Sequence, residues 1–186
     1  DFNEVAIAEY INTGGTTVIL VPSYKSEPFV YALLRKLYIA KKPTDQIIVY
    51  GLPSWENFER IDFDYYENLN VHISTANFVN NNDPNVRLFK DKYFERWATP
   101  PTNEAIVGYD VTLFTGRMLK KYGTKFQLSL EKEGAVPLLH STFDFDRIVL
   151  LEGIEIDDSQ MNRIDQFENK YVHILKFDNF YFQPAD

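Results

Sequence analysis

The stretch TTVILV at residues 16–21 decides the fold class, because it is a short and continuous run of apolar and β-branched residues. Such a run is typical of a parallel strand that is buried on both faces of a sheet. Two similar runs follow, QIIVY at 46–50 and VHIS at 71–74. Helical patterns separate the runs, at 26–41 and, as a short helix, at 56–63. This alternation predicts an α/β fold with a mainly parallel sheet flanked by helices.

The first of these helices has apolar residues spaced to form one buried stripe. The stripe predicted from this spacing consists of Phe29, Leu33, Leu37 and Ala40. Ser26 is placed to cap the helix, and Pro28 suits its first turn.

The pattern changes after Phe78, where the polar stretch NNNDP at 80–84 predicts a domain boundary. Two helices are predicted beyond it, at 84–97 and from Thr102 to about Tyr122, where Gly123 ends the second. A short helix is predicted at 126–133, strands from Thr142 onwards, and a loop at 152–166. In the C-terminal part, YVHILKF at 171–177 alternates, and Asp178-Asn179 is a turn candidate, so antiparallel strands are expected there.

Composition excludes several functional classes. The chain has 186 residues, 45% of them hydrophobic and 25% charged, which is typical of a globular protein rather than a disordered one. A net charge of −8 with no basic stripe argues against nucleic acid as a partner. No cysteine is present, so disulfides, thiolate metal sites and cysteine nucleophiles are excluded. No apolar run approaches the roughly 18 residues of a membrane span.

Patterns that would indicate catalysis or metal binding are weak. The histidines His72, His140 and His173 are isolated from one another, and the chain contains no G-x-S-x-G motif. Acidic residues occur in near pairs such as Asp144 and Asp146, a spacing typical of the outer face of an amphipathic strand. We therefore predict no catalytic residue, no metal and no cofactor.

Candidate ligand-binding residues lie where the predicted strands end. Ser23 and Ser54 follow two buried strands, at the edge of the sheet where open α/β proteins bind their ligands. Their hydroxyls suit turn formation and ligand binding about equally. Tyr24, Trp55 and Phe78 also lie just past strand ends, and aromatic rings beside hydroxyls and free backbone amides are typical of a small-molecule cleft.

The order of these motifs also carries a family resemblance. TTVILVPSY is followed by QIIVYGLPSW, and then by HISTANFVNNNDPNVRLFKDKYFERWATPPTNEAIVGYDVTLFTGRMLKKYG. This pattern, with the pair Tyr109-Asp110 in its last helix, resembles the type I periplasmic (solute) binding proteins of the branched-chain amino-acid receptor group. The resemblance covers roughly residues 3 to 150.

The resemblance implies a two-lobed α/β receptor that binds its ligand between Rossmann-like lobes. The ligand-binding residues that it implies are Pro22, Ser23, Tyr24, Ser54 and Trp55 in strand-end loops, together with Phe78 where the family crosses its hinge. The family also holds the α-ammonium group of its ligand with an acid, and Glu56 is the acid near these loops.

The family's first lobe begins with a long Rossmann-like segment that has no counterpart in this sequence. The chain begins Asp1-Phe2-Asn3 without Met, so we expect a processed or truncated chain. The expected ligand-binding lobe comprises residues 1–79 and 141–186, and the helical segment 80–140 derives from the other lobe. Because those helices would lack their sheet, we expect a rearrangement or a homodimer through residues 84–140.

The resulting functional hypothesis is a non-enzymatic, extracytoplasmic solute-binding receptor of the cell envelope. Its ligand would be a small polar molecule such as an amino acid or a short peptide, and its partner a membrane transporter or an envelope protein. The alternative is a ligand-free interaction module of an envelope protein that reuses the receptor fold. A hydrolase using scattered acids is a weaker third hypothesis, since the sequence shows neither a nucleophile with its base nor a metal set.

Overall fold

A computed structural model describes residues 7–148 and 166–185 of the chain. The chain forms two compact units, which we call unit 1 (Asp1–Thr75 with His173–Asp186) and unit 2 (Ala76–Val172). In this division residues 141–172 belong with the helical segment 80–140. The origin of that segment in a second lobe stays a prediction.

Strands and helices alternate in the N-terminal part of the described chain, whereas its last part consists mainly of strands. The strands are β1 (Thr16–Leu20), β2 (Gln46–Gly51), β3 (Val71–Thr75), β4 (Val136–Pro137), β5 (Thr142–Phe143), β6 (Phe145–Ile148), β7 (Gln166–Asn169), β8 (His173–Asp178) and β9 (Tyr181–Pro184). The α-helices are α1 (Glu27–Ala40), α2 (Phe63–Asn68), α3 (Pro84–Trp97) and α4 (Asn103–Tyr122). Turns of 3₁₀-helix cover Pro53–Asn57 and Gly123–Glu133.

Unit 1 is built on a five-stranded sheet in the order β1-β2-β3-β8-β9. The first three strands are parallel, β8 runs antiparallel to β3, and β9 runs antiparallel to β8. The predicted α/β fold class is therefore confirmed, including the antiparallel strands at the C-terminus. The predicted turn is also present, although its two central residues are Asn179 and Phe180, both with positive φ, as a tight hairpin requires.

One face of this sheet forms the core of unit 1. Ile47, Val49, Val71, Ile73 and Leu175 lie on that face and are fully buried. The rings of Tyr66 in α2 and Phe177 in β8 are 5.0 Å apart, which shows that α2 packs on the same face. Every strand residue on the opposite face is exposed or half-buried.

The prediction that TTVILV is buried on both faces is therefore wrong. β1 is an edge strand, and Val18 and Leu20 on the opposite face are 56% and 74% exposed. An uninterrupted apolar run cannot show whether a strand lies in the centre of a sheet or at its edge, because both positions accept the same residues.

The helices of unit 1 differ from their predictions in detail. α1 has Ser26 at its N-cap position and a proline in its first turn, but its buried residues are Val30, Leu34 and Leu37. The predicted stripe was rotated by about one residue, so Phe29 is 37% exposed. The short helix predicted at 56–63 is not formed, because the 3₁₀ turn Pro53–Asn57 and α2 overlap only the two ends of that range.

In unit 2, α3 and α4 occupy the ranges predicted for them, and both begin at capping side chains. The Asp83 carboxylate accepts a hydrogen bond from the Asn85 amide at 2.6 Å, and the Thr102 hydroxyl accepts one from the Ala105 amide at 3.3 Å. Gly123 follows α4 with a positive φ, as predicted. The helix predicted at 126–133 is a 3₁₀ segment, and most of the loop predicted at 152–166 lies outside the described residues.

The described core of unit 2 is formed by α4 and two small antiparallel strand pairs, β4-β5 and β6-β7. Ile106, Phe114 and Met118 on α4 are buried. The Phe114 ring meets the Phe143 ring edge-on, with their centroids 5.0 Å apart. These strands therefore cover the inner face of α4.

Candidate functional site

Two loops of unit 1 meet at the carboxyl ends of β1 and β2. The strands stay paired up to the start of the first loop, where the Val21 amide donates to the Tyr50 carbonyl oxygen at 2.9 Å. Pro22, Ser23 and Tyr24 follow immediately, and the second loop begins after Gly51. The structure thus brings together five of the six predicted site residues, since Ser54 and Trp55 lie in the second loop.

Trp55 lies in the core of unit 1 and connects the two loops through a hydrogen bond. Its side chain is fully buried, and its indole N–H donates to the Ser23 carbonyl oxygen at 2.9 Å. The Tyr66 hydroxyl, itself buried, donates to the Trp55 carbonyl oxygen at 3.2 Å. In the structure the Trp55 ring therefore holds the loops in place, whereas the sequence pointed to a ring facing a ligand.

Gly51 is required by the position of this ring. A Cβ atom at residue 51 would lie 2.4 Å from the Trp55 ring carbons, far inside van der Waals contact. Only glycine lets the ring pack directly against the end of β2. The sequence analysis missed Gly51 and Tyr66. The glycine at a strand end four residues before a tryptophan was the available signal for the first.

Ser54 joins the loops on the outer side. Its hydroxyl donates to the Tyr24 carbonyl oxygen at 2.6 Å. This contact favours turn formation, the first of the two roles considered for the serine. The Tyr24 ring remains 58% exposed. Both loops are thus fixed by side-chain hydrogen bonds, while an aromatic ring projects to solvent.

The fixed loops present hydrogen-bond donors and a carboxylate. Among the residues that the structure describes, none accepts a hydrogen bond from the backbone amides of Ser23, Tyr24 or Lys25. These amides precede the N-terminus of α1, where the helix dipole favours negative charge. Glu56 lies exposed in the second loop. Amides without an acceptor favour an anionic group, and an exposed carboxylate favours a cationic one.

Burial raises the pKa of the Tyr66 phenol well above its usual value of 10.0, because the ionised phenolate would lose its hydration. The hydroxyl that supports Trp55 is therefore neutral and remains a hydrogen-bond donor over the physiological pH range.

Phe78 lies in unit 2 and is described with that unit. Its backbone amide donates to the His140 carbonyl oxygen at 2.8 Å, and its side chain is half-buried. Its predicted role at a hinge stays a prediction.

Unit 2 contains a buried polar centre that the sequence analysis did not find. One carboxylate oxygen of Asp110 accepts hydrogen bonds from the Leu139 and His140 amides at 2.8 and 2.9 Å, and it lies 2.6 Å from the His140 Nδ1 atom. Asp110 and His140 are both buried. Because 30 residues separate them, no local spacing pattern predicts the pair. The pair fixes the 138–141 turn to α4.

Neither unit shows a metal centre within the described ranges, since no group of three or more His, Asp or Glu side chains is placed to hold an ion. In the same ranges, no helix is both long enough and apolar enough to cross a membrane.

No protein-family model matches the chain, and no curated protein matches it either. Among solved structures, the chain is similar to a crystal structure of an ABC transporter substrate-binding protein from Desulfitobacterium hafniense in complex with Leu. The TM-score is 0.47 and the sequence identity 14%, over 90% of this chain and 43% of that chain. This chain thus spans less than half the length of that protein. A likeness at this level assigns neither family nor ligand.

Proposed function

We propose that the chain is a non-enzymatic, extracytoplasmic solute-binding domain for a small polar ligand, such as an amino acid or a short peptide. One observation carries the proposal. Two loops at the carboxyl ends of parallel strands are fixed to each other by Ser54 and Trp55. They leave the Tyr24 ring exposed and the amides of residues 23–25 without an acceptor among the described residues. This is the edge at which open α/β sheets bind ligands.

The chemistry of the loops favours a zwitterion. A carboxylate fits the unpaired amides at the N-terminal end of α1, and an ammonium group fits Glu56. The Tyr24 ring then covers the aliphatic or aromatic part of the ligand. Because Ser54 and Trp55 already fix the loops, little conformational entropy is lost when the ligand binds.

The sequence resemblance supports further parts of the proposal. A receptor of the type I periplasmic family would close about a hinge at Phe78 and present its ligand to a membrane transporter. In this proposal Pro22 shapes the first loop, and Trp55 acts through the position of Ser23. A homodimer through residues 84–140 remains part of the proposal, and a monomer at high concentration in sedimentation velocity would refute it.

The first test is a native mass spectrum of the purified chain. A bound small molecule is expected as an added mass, and fragmentation would identify it. Its affinity is then measured for Tyr24→Ala, which removes the exposed ring and leaves the Ser54 contact to the backbone in place. We expect at least about tenfold weaker binding.

Tyr181→Ala is the matched control, because Tyr181 is 51% exposed and lies in β9, at the sheet edge opposite β1. Its affinity is expected to equal that of the unmodified chain. Equal affinities for all three proteins would refute the loops as the ligand site.

The second candidate function is a ligand-free interaction module of an envelope protein. It is favoured by the open face of the sheet in unit 1, where Val18, Leu20 and Ile174 are 56%, 74% and 37% exposed. An apolar surface of this kind is typical of a protein contact. A native spectrum without added mass, above all one of a dimer, would favour this function over solute binding.

A further inference from the structure

A groove on the surface of unit 2 combines aromatic rings with positive charge. Side chains at three- and four-residue spacing along α3, from Asn85 to Trp97, form one wall. Tyr109 of α4 and Leu139 complete a cavity of about 340 Å³. This volume lies at the lower end of the range for small-molecule sites.

Four of the nine residues that line this groove carry aromatic rings. The Phe89 ring lies 4.7 Å from the Tyr109 ring and 5.9 Å from the Tyr93 ring, measured between centroids. The Tyr93 and Trp97 rings follow at 6.4 Å. Trp97 is 60% exposed, a large fraction for the bulkiest apolar side chain. A flat, apolar ligand body can stack on such a row of rings.

The two charged side chains that line the groove, Lys92 and Arg96, are both cations. Lys92 and Arg96 are four residues apart on α3 and therefore lie on one side of it, and no carboxylate lines the groove. The Arg96 guanidinium carbon lies 5.5 Å from the centre of the Trp97 ring. Within the described ranges neither cation forms an ion pair. In a chain of net charge −8, this local positive charge selects an anionic ligand.

The buried polar centre fixes the far wall of the groove. Leu139 lines the cavity, and its amide donates to the Asp110 carboxylate at 2.8 Å. Tyr109 precedes that aspartate on α4. The wall is therefore held by a part-buried hydrogen bond and is formed before any ligand arrives.

We propose that this groove is a second binding site, and that its ligand is a small aromatic carboxylate whose ring stacks on the aromatic row and whose carboxylate pairs with Lys92 and Arg96. A planar carboxylate matches the two parallel N–H groups of a guanidinium. A homodimer that uses other parts of residues 84–140 leaves the groove open, whereas a second copy seated in the groove itself fits less well. In a twofold dimer the same surface faces itself, which brings Lys92 and Arg96 close to the same cations of the partner.

Phenylacetate is a suitable probe for this site. Two control probes each lack one of its groups: 2-phenylethanol has no carboxylate, and acetate has no aromatic ring. Binding is followed by tryptophan fluorescence. The chain has two tryptophans, Trp97 in the groove and the buried Trp55 of unit 1. We expect saturable binding of phenylacetate that weakens as salt is added, and at least about tenfold weaker binding of the two control probes. Equal binding of 2-phenylethanol would overturn the proposal.

Variants then locate the site. Arg96→Ala and Lys92→Ala are each expected to weaken phenylacetate binding by about tenfold, whereas Lys120→Ala, an exposed cation of α4, leaves it unchanged. Tyr24→Ala is also expected to leave it unchanged, which separates this site from the strand-end loops of unit 1. A loss with Tyr24→Ala, or no loss with either groove variant, would overturn the proposal. A dimer that Trp97→Ala dissociates would do so as well, since the groove would then be an interface between copies.

Discussion

The two tryptophans of the chain occupy opposite environments in the two units. Trp55 in unit 1 is fully buried, and its indole N–H is bonded to the backbone of a neighbouring loop. Trp97 in unit 2 is 60% exposed and lies beside a groove. The first stabilises a proposed site without facing it, while the second is itself available to a ligand. The position of an aromatic residue after a strand or on a helix therefore does not reveal its role. Burial and the partner of its polar atom do.

The largest expected effect comes from removing the buried tryptophan. Trp55→Ala should destabilise unit 1 by about 4 kcal/mol, because a large cavity forms and the Ser23 carbonyl loses its donor. Denaturant unfolding measures this loss. Trp97→Ala is the matched control and should change the free energy of unfolding by no more than about 0.5 kcal/mol. Similar losses for both variants would contradict the contrast between the two environments.

The buried carboxylate of unit 2 should have the next largest effect. Asp110→Ala leaves the amides of Leu139 and His140 without their acceptor, at an expected cost of about 3 kcal/mol. Hydrogen–deuterium exchange measures the amide exchange rates of each unit separately, and the rates should rise in unit 2 alone. Asp91→Ala, which removes an exposed acid from α3, should leave exchange unchanged. Protection of α4 that survives Asp110→Ala would show that the pair is dispensable.

Glycine 51 allows a smaller and more specific test. Gly51→Ala places a Cβ atom against the Trp55 ring and should destabilise unit 1 by about 2 kcal/mol. Gly116→Ala is the control, since a Cβ there meets nothing within 4 Å and alanine favours helix, so a gain of about 1 kcal/mol is expected. If Gly51→Ala also stabilised the chain in thermal unfolding, the packing described at the end of β2 would be incorrect.

The smallest effect at neutral pH is expected for Tyr66→Phe, about 1 kcal/mol, because one hydrogen bond to Trp55 is lost. Its pH dependence is more informative. The pKa of Tyr66 is raised in the folded chain above its usual 10.0, so the unfolded chain ionises first, and stability falls as the pH rises above about 10. Tyr66→Phe should lose less stability than the unmodified chain over that alkaline range, as measured by urea unfolding at several pH values. Parallel pH profiles would exclude a buried, neutral Tyr66.

The sequence predicted the elements of this fold well where periodicity and capping signals agreed. α3 and α4 were predicted within one residue, since Asp83, Pro84, Thr102 and Gly123 mark their ends. The helix predicted at 56–63 was wrong. The buried position of Trp55 in the 3₁₀ turn Pro53–Asn57 involves a hydrogen bond to the Ser23 carbonyl, 32 residues away, which no local pattern shows.

The candidate site was predicted in part. The sequence located both strand-end loops through Ser23, Tyr24 and Ser54, because the carboxyl edge of a parallel sheet follows from strand order. It could not assign Trp55 to the core, since a tryptophan in a loop has no pattern that distinguishes burial from exposure.

The groove of unit 2 was missed for a related reason. An aromatic residue on a helix has no local pattern that shows whether it stays exposed, and the structure leaves Trp97 and Tyr109 exposed.

The most direct test of solute binding by unit 1 is an amide NMR titration of the full chain with amino acids and short peptides. We expect one class of ligand to shift the amide signals of Ser23, Tyr24, Lys25 and Glu56 in a saturable way, and Tyr24→Ala to abolish those shifts without altering the fold. Shifts confined to other residues, or no saturable shift with any ligand, would contradict the account.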